Sequence, residues 1–386
     1  MSVTTPKGFR ASGVAAGLKS SGGPDVALVV NDGPDQVGAA VFTSNRVVGA
    51  PVTWSRQVVR DGVVHAVVLN SGGANVCTGP DGFSDTHATA ERVGEALGVS
   101  PGDVVVASTG LIGERLPLDR LLAGVDAAAA ALGTAGGPDA ALAIMTTDSV
   151  PKTVEVARDG WSVGGMAKGA GMLAPALATM LCVLTTDAIV DPADADGALR
   201  AAAAVSFDRI DSDGCMSTSD TVVLLASGAS GVRVGHQALV EALTEACARL
   251  ARDLIADAEG ATHDIAVHVT GATSEDAAVA VARAVTRSNL VKAAVFGNDP
   301  NWGRILAQVG TVPESAAPYD PDRVDVAING VQVCRAGGAH EPRENVRMDA
   351  REVHIEIDLH AGPAAATVWT NDLTHAYVHE NSAYST

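Results

Sequence analysis

The chain has 386 residues, 47% of them hydrophobic and 18% charged, with aromatics at only 3%. Lys and Arg number 26 against 45 Asp and Glu, and the net charge of −19 repels phosphate backbones, which excludes nucleic acid as an expected partner. Five cysteines, widely spaced and without a Cys-x-x-Cys pair, argue against a disulfide framework or a zinc knuckle and point to a reducing, cytoplasmic setting.

Length alone suggests two or three domains of ~150 residues each. The first residues carry no charged start followed by an apolar stretch, so no signal peptide is expected. Residues 169–186 hold no charge, but Pro175, Gly169 and Gly171 oppose a spanning helix there. A buried loop and strand is the expected form, and no membrane contact is expected.

In chain order, Val26–Val30, Val63–Leu69 and Val104–Ala107 are β-branched runs followed by turn residues, and each predicts a strand. Thr86–Leu97 and Leu118–Leu132 predict helices, the second stopped by Gly133. Thr153–Ala157 and Trp161–Val163 flank Arg158-Asp159-Gly160, a hairpin signal. A glycine-rich stretch, Gly164–Gly171, follows, and then Met180–Leu184 reads as a buried strand. Beyond it, Asp194–Val205, Gln237–Asp257 and Ser274–Ser288 predict helices. Asp264–Thr270, Val324–Ile328 and Val353–Leu359 predict strands, the last with clean alternation. No fixed-period repeat and no long linker appears. The class is α/β, with sheets covered by helices.

The stretch from Gly164 to Leu181 carries two readings. A phosphate loop needs Gly-Lys-Ser/Thr before a helix; Lys168 is followed by Gly169, and the helix would have to run through Pro175. Self-cleavage needs a small residue before a hydroxyl residue, a flexible approach and a strand behind, which Ala178-Thr179-Met180-Leu181 supplies. The Thr179 hydroxyl would attack the Ala178 carbonyl, and water would open the ester. The freed α-amine, of unperturbed pKa ~7.7–8.0, can then act as general base for its own hydroxyl. On the local pattern alone, a structural threonine at a strand start remains the alternative.

Several blocks extend the pattern: Asn70–Asn75, Ser108–Gly113, Met145–Asp148, Lys168–Leu181, Asp211–Thr218, Asp257–Thr262, Asp299–Arg304 and the tail Val378–Thr386. In residues and in order they resemble the ornithine acetyltransferases, the self-cleaving glutamate N-acetyltransferases of arginine biosynthesis, in an actinobacterial-type form. The resemblance spans nearly the whole chain. It implies cleavage at Ala178-Thr179 into an α chain of residues 1–178 and a β chain of 179–386, with Thr179 as nucleophile and Thr109 and Gly110 as oxyanion hole. It also implies substrate contacts from Thr146, Lys168, Thr179, Glu259, Asn381 and Thr386, where Thr146 and Thr147 are hard to tell apart. The implied fold is an α-β-β-α sandwich, two stacked sheets flanked by helices, with a smaller lobe. The implied assembly is α2β2.

The implied reaction carries acetyl from N2-acetylornithine to glutamate through an acetyl-threonine, with no cofactor and no metal, and with acetyl-CoA as a possible further donor. Three alternatives share the sequence signals: a self-processing amidohydrolase or aminopeptidase, a secondary-metabolite ornithine acetyltransferase, and a binding protein that never cleaves. Weaker motifs fail on spacing. Asp211-x-Asp213-Gly214 lacks the rest of a calcium loop, His375 and His379 have no third ligand, and no Gly-x-Ser-x-Gly elbow occurs.

Overall fold

The computed structural model describes residues 2–174 and 180–383. Among these lie three sheets and ten α-helices. The first sheet has the order β1-β2-β4-β5: β1 (Phe9–Val14), β2 (Val26–Asn31), β4 (Ala66–Asn70) and β5 (Val104–Ser108). Its last pair is parallel, so the chain must cross over, and α2 (Gly79–Leu97) is that crossover. α2 carries Pro80 in its first turn and stops at Gly98, whose φ of 72° is the left-handed form that ends helices.

The second sheet has the order β3-β9-β8-β7-β6: β3 (Val37–Phe42), β6 (Lys152–Ala157), β7 (Ser162–Lys168), β8 (Leu181–Thr186) and β9 (Thr221–Ala226). β8 is central and buried along its whole length, as a continuous apolar run requires. β7 extends beyond the predicted Trp161–Val163 and runs through the glycine-rich stretch to Lys168. The reason is steric: a Cβ on Gly164 would collide with the Ser2 carbonyl, so glycine there admits the N-terminal segment against the strand.

The third sheet has the order β13-β12-β11-β14-β10-β15: β10 (Asp264–Ala272), β11 (Asp325–Ile328), β12 (Val331–Arg335), β13 (Gly338–Ala339), β14 (Glu352–Asp358) and β15 (Ala364–Asn371). This third sheet has the most strands of the three and a cluster of its own. β11 matches the predicted Val324–Ile328 strand, while β12 and β13, five and two residues long, are too short to stand out in the sequence.

Four apolar clusters hold these elements together. One joins both faces that the first two sheets share, with Val29, Leu69 and Val105 from the first and Met166, Val183 and Leu225 from the second. The helix α4 (Gly137–Ala143) adds Ala140, Ala141 and Ala143 to it. The opposite face of the first sheet packs on α2 and α3 (Leu118–Ala130) through Val93, Leu121 and Val125. The opposite face of the second sheet packs on α5 (Pro192–Ala204) and α6 (His236–Ala256) through Leu199, Leu243 and Leu250. The third sheet has its own cluster with α7 (Glu275–Thr286), α8 (Asn289–Phe296) and α9 (Trp302–Val309). The remaining helices are α1 (Ala50–Val58), whose Trp54 indole N–H donates to the Val104 carbonyl, and α10 (His375–Ala383).

Strands from either side of position 178 are interleaved in the second sheet. β3, β6 and β7 precede it; β8 and β9 follow. Among the described residues no helix is long and apolar enough to cross a membrane.

Candidate active site

The ends of β5 and β7 approach each other at a cleft between the first two sheets. Directly after β5, the Thr109 N–H donates to the Asn70 carbonyl at 3.0 Å, and the Gly73 N–H donates to the Thr109 carbonyl at 3.0 Å. The Asn70 amide donates to the Ser108 hydroxyl at 2.6 Å. These bonds lock the loop after β5 to the loop after β4. Gly110 has φ 129°, and a Cβ there would meet the Gly73 backbone at 2.8 Å, so glycine is required for the close approach. Among the described residues none accepts the Gly110 N–H.

Lys168 ends β7 and is 1% exposed. Its ammonium donates to the Thr109 hydroxyl oxygen at 3.2 Å. A lysine ammonium has no acceptor, so Thr109 accepts here and keeps its own proton free to donate. Burial lowers the Lys168 pKa, with Asp148 opposing that shift and Lys152 adding to it.

Asp148 organises the cations. Its carboxylate accepts from Lys152 at 2.7 Å, from the Gly169 N–H at 2.6 Å and from the Thr146 N–H at 3.0 Å. Lys152 also bridges to Asp257 at 2.5 Å. Burial opposes ionisation of Asp148, but Lys168, Lys152 and the Gly169 N–H outweigh it and hold the carboxyl below its ordinary value.

On the other wall, the Glu259 N–H donates to the Ala170 carbonyl at 3.0 Å, and the Asn381 amide donates to the Glu259 carboxylate at 3.0 Å. A Cβ on Gly171 would lie 2.7 Å from both Glu259 carboxylate oxygens, so the glycine leaves room for this carboxylate.

Thr109, Gly110, Thr146, Lys168, Glu259 and Asn381 all line this one cleft, although they come from five separate segments of the chain. Thr147 lines it too, so the choice between the two threonines stays open. Ala178, Thr179 and Thr386 lie outside the described residues. Residues that the sequence reading did not single out also face the cleft, among them Met172 and Ser217–Ser219. Met172, Ser217 and Thr218 fall within blocks named above and Ser219 just beyond one, but nothing in a run of serines and threonines says which of them point inward. Just after position 179, the Met180 N–H donates to the buried Asp220 carboxylate at 3.0 Å.

A sequence profile described as the ArgJ family matches residues 10–386. The chain is 62% identical over 385 residues to the "arginine biosynthesis bifunctional protein ArgJ" of Streptomyces coelicolor, covering 100% of both chains.

The chain belongs to the ArgJ family.

Other members are similarly close. The Thermobifida fusca protein of the same name is 59% identical with full coverage of both chains, and the Mycobacterium leprae protein is 56% identical over 99% of this chain and 95% of its own. Among solved structures, an ornithine acetyltransferase from Mycobacterium tuberculosis complexed with ornithine is 56% identical. The match covers 47% of this chain and 96% of that one, with a TM-score of 0.45.

Proposed function

We propose that this chain is a self-processing acetyltransferase of arginine biosynthesis, moving acetyl from N2-acetylornithine to glutamate. One observation carries the reading. In a member of the ArgJ family, the Lys168 cation, the Glu259 carboxylate and the neighbouring Thr109 and Gly110 line a single cleft. That set suits the substrates: Lys168 pairs with a carboxylate, Glu259 holds an ammonium, and Asn381 steadies Glu259.

The steps follow from the groups. Thr179 cuts the bond after Ala178 and gains a free α-amine, which takes the proton of its own hydroxyl. The oxygen attacks the acetyl carbonyl, and the oxyanion receives the Thr109 O–H and the Gly110 N–H. Ornithine leaves; glutamate then attacks the acetyl-threonine ester and leaves acetylated. The acetyl group passes from one substrate to the other, so the cycle calls for no organic cofactor. Acetyl-CoA would enter at the same ester, as the bifunctional name of the relatives suggests. Thr146 and the C-terminal Thr386 complete the proposed substrate contacts.

The finer architecture is read as an α-β-β-α sandwich with a lobe, supported by the cluster that the first two sheets share and by helices on their other faces. Two chains, 1–178 and 179–386, would remain together and assemble as α2β2. The unpaired cysteines fit a cytoplasmic location.

Intact mass and an assay of N2-acetylornithine with and without glutamate test the proposal. Two species splitting at Ala178-Thr179, with turnover that depends on glutamate, are expected. Turnover that ignores glutamate would make the enzyme a hydrolase. A Thr179→Ala chain that still cleaves would sink the assignment of the nucleophile.

A further inference from the structure

Asp220 sits at the entry to β9, and its side chain is fully buried. One carboxylate oxygen accepts the Met180 N–H at 3.0 Å. That N–H belongs to the peptide group joining Thr179 to Met180, so Asp220 grips the first covalent link behind the proposed nucleophile. The Thr221 N–H also donates to the Met180 carbonyl at 3.1 Å, and the Thr43 N–H donates to the Asp220 carbonyl at 3.0 Å. Backbone contacts therefore hold both Met180 and Asp220. The second oxygen, Oδ2, has no hydrogen-bond partner among the described residues. A buried carboxyl oxygen left unpaired is costly and calls for an explanation.

We propose that Asp220 is a positioning residue: by holding the Met180 N–H, its carboxyl fixes the chain directly behind the proposed nucleophile for both self-cleavage and acetyl transfer. This rests on the functional reading above. Burial pushes the Asp220 carboxyl well above its ordinary value, against the pull of the Met180 N–H and the Lys168 ammonium. The contact that carries the role is the accepted Met180 N–H, which a side-chain amide oxygen can also accept. A fixed peptide group costs nothing in reorganisation when the hydroxyl attacks, which is how misplacement behind a nucleophile becomes a loss of rate.

Three variants test this: Asp220→Val, Asp220→Asn and Asp220→Glu. Cleavage of the purified precursor is followed by intact mass, and kcat and KM are measured on the matured fraction. Melting midpoints are recorded for each. Asp220→Val is expected to slow cleavage tenfold or more and to lower kcat with KM unchanged. Asp220→Asn, with an acceptor and a donor in the same places, is expected to recover most of that loss. It should also gain stability relative to the parent as pH rises from 4 to 7. A carboxyl whose folded pKa is raised makes the fold lose stability as the unfolded chain ionises, and asparagine has no such loss. Asp220→Glu keeps the carboxyl but shifts it by one methylene, and it is expected to cleave slowly. If Asp220→Val does not fold, the Asn and Glu pair decides.

A Val or Glu variant that matures and turns over at the parent's rate overturns the proposal. So does an Asn variant as impaired as Val, because the carboxyl would then act by its charge or proton and not by position. A parent chain that never cleaves is a different failure, that of the functional reading itself.

Discussion

The Lys168 ammonium donates to the Thr109 hydroxyl across 3.2 Å, and this bond spans two sheets. Lys168 closes β7 in the second sheet, while Thr109 follows β5 in the first. The contact sets the direction of the Thr109 proton. With its lone pair taken by an ammonium, the hydroxyl can only give its hydrogen elsewhere, and the cleft is the open side.

Thr109→Ala removes that donor and leaves the Gly110 N–H alone. Loss of one preorganised oxyanion donor costs ~10²–10³ in kcat. KM for N2-acetylornithine should change little, and Thr109→Ser should restore most of the rate. Steady-state kinetics of the three proteins checks this; a rate drop below threefold in Thr109→Ala would remove Thr109 from the oxyanion hole.

The same bond predicts a pH limit. Lys168 must be protonated to hold Thr109 in its donating state, and burial lowers its pKa. Activity should therefore fall on the alkaline side as Lys168 loses its proton, at a pH below the ordinary lysine value of ~10.4. The acid limb should come from the Thr179 amine, near its unperturbed ~7.7–8.0. A pH–rate profile of kcat that stays flat past the ordinary lysine value would contradict the role given to Lys168.

Asp148→Asn leaves Lys152 and Lys168 without their shared buried carboxylate. Removing one partner of a buried ion pair costs about 3–5 kcal/mol when the other is left bare; Lys152 keeps Asp257, so denaturant unfolding near neutral pH should show a loss at or below the lower end of that range. The sign with pH is fixed. The folded pKa of Asp148 is depressed, so its contribution is complete above the ordinary carboxylate range and fades as pH falls through the folded value. The gap between parent and variant should narrow below about pH 4. An equal gap at acid and neutral pH would show that the loss is steric.

Gly171→Ala places a methyl 2.7 Å from the Glu259 carboxylate. That carboxylate is the far end of a flexible side chain and can swing aside, so the fold should survive. Displacing a group that binds substrate and transition state alike raises KM without lowering kcat. A rise of about tenfold in KM for N2-acetylornithine, equivalent to ~1.4 kcal/mol, is expected from initial rates. An unchanged KM would separate Glu259 from substrate binding.

The strands most readable from sequence were β2, β5, β8 and β14, where β-branched runs or strict alternation carry the signal. β1 and β3 were not readable: Phe9–Val14 and Val37–Phe42 are interrupted by Gly, Ala and Arg, and they become strands because neighbours pair with them. β9 is a short apolar run whose spacing fits either a helix or a strand. For the site, the residue types were readable block by block, and family resemblance grouped them. Periodicity could not have brought Lys168 to Thr109, 59 positions away, because only the meeting of two sheets does so. Asp148 was visible as part of a block, but its role as common partner of Lys152, Gly169 and Thr146 exists only in three dimensions. Asp220 gave no local signal, because burial is what makes its carboxyl unusual.

The interleaved second sheet has a consequence for how the matured protein would come apart. β7 pairs with β8 over six residues, and β3 pairs with β9 over another six, each pair joining one side of the proposed cut to the other. Before scission, unfolding is a property of one molecule and its midpoint is indifferent to dilution. After it, the same sheet holds two separate polypeptides, and dissociation becomes part of denaturation, so the midpoint rises with protein concentration. A single hydrolysed bond thus changes the molecularity of the folding equilibrium while every strand keeps its neighbours.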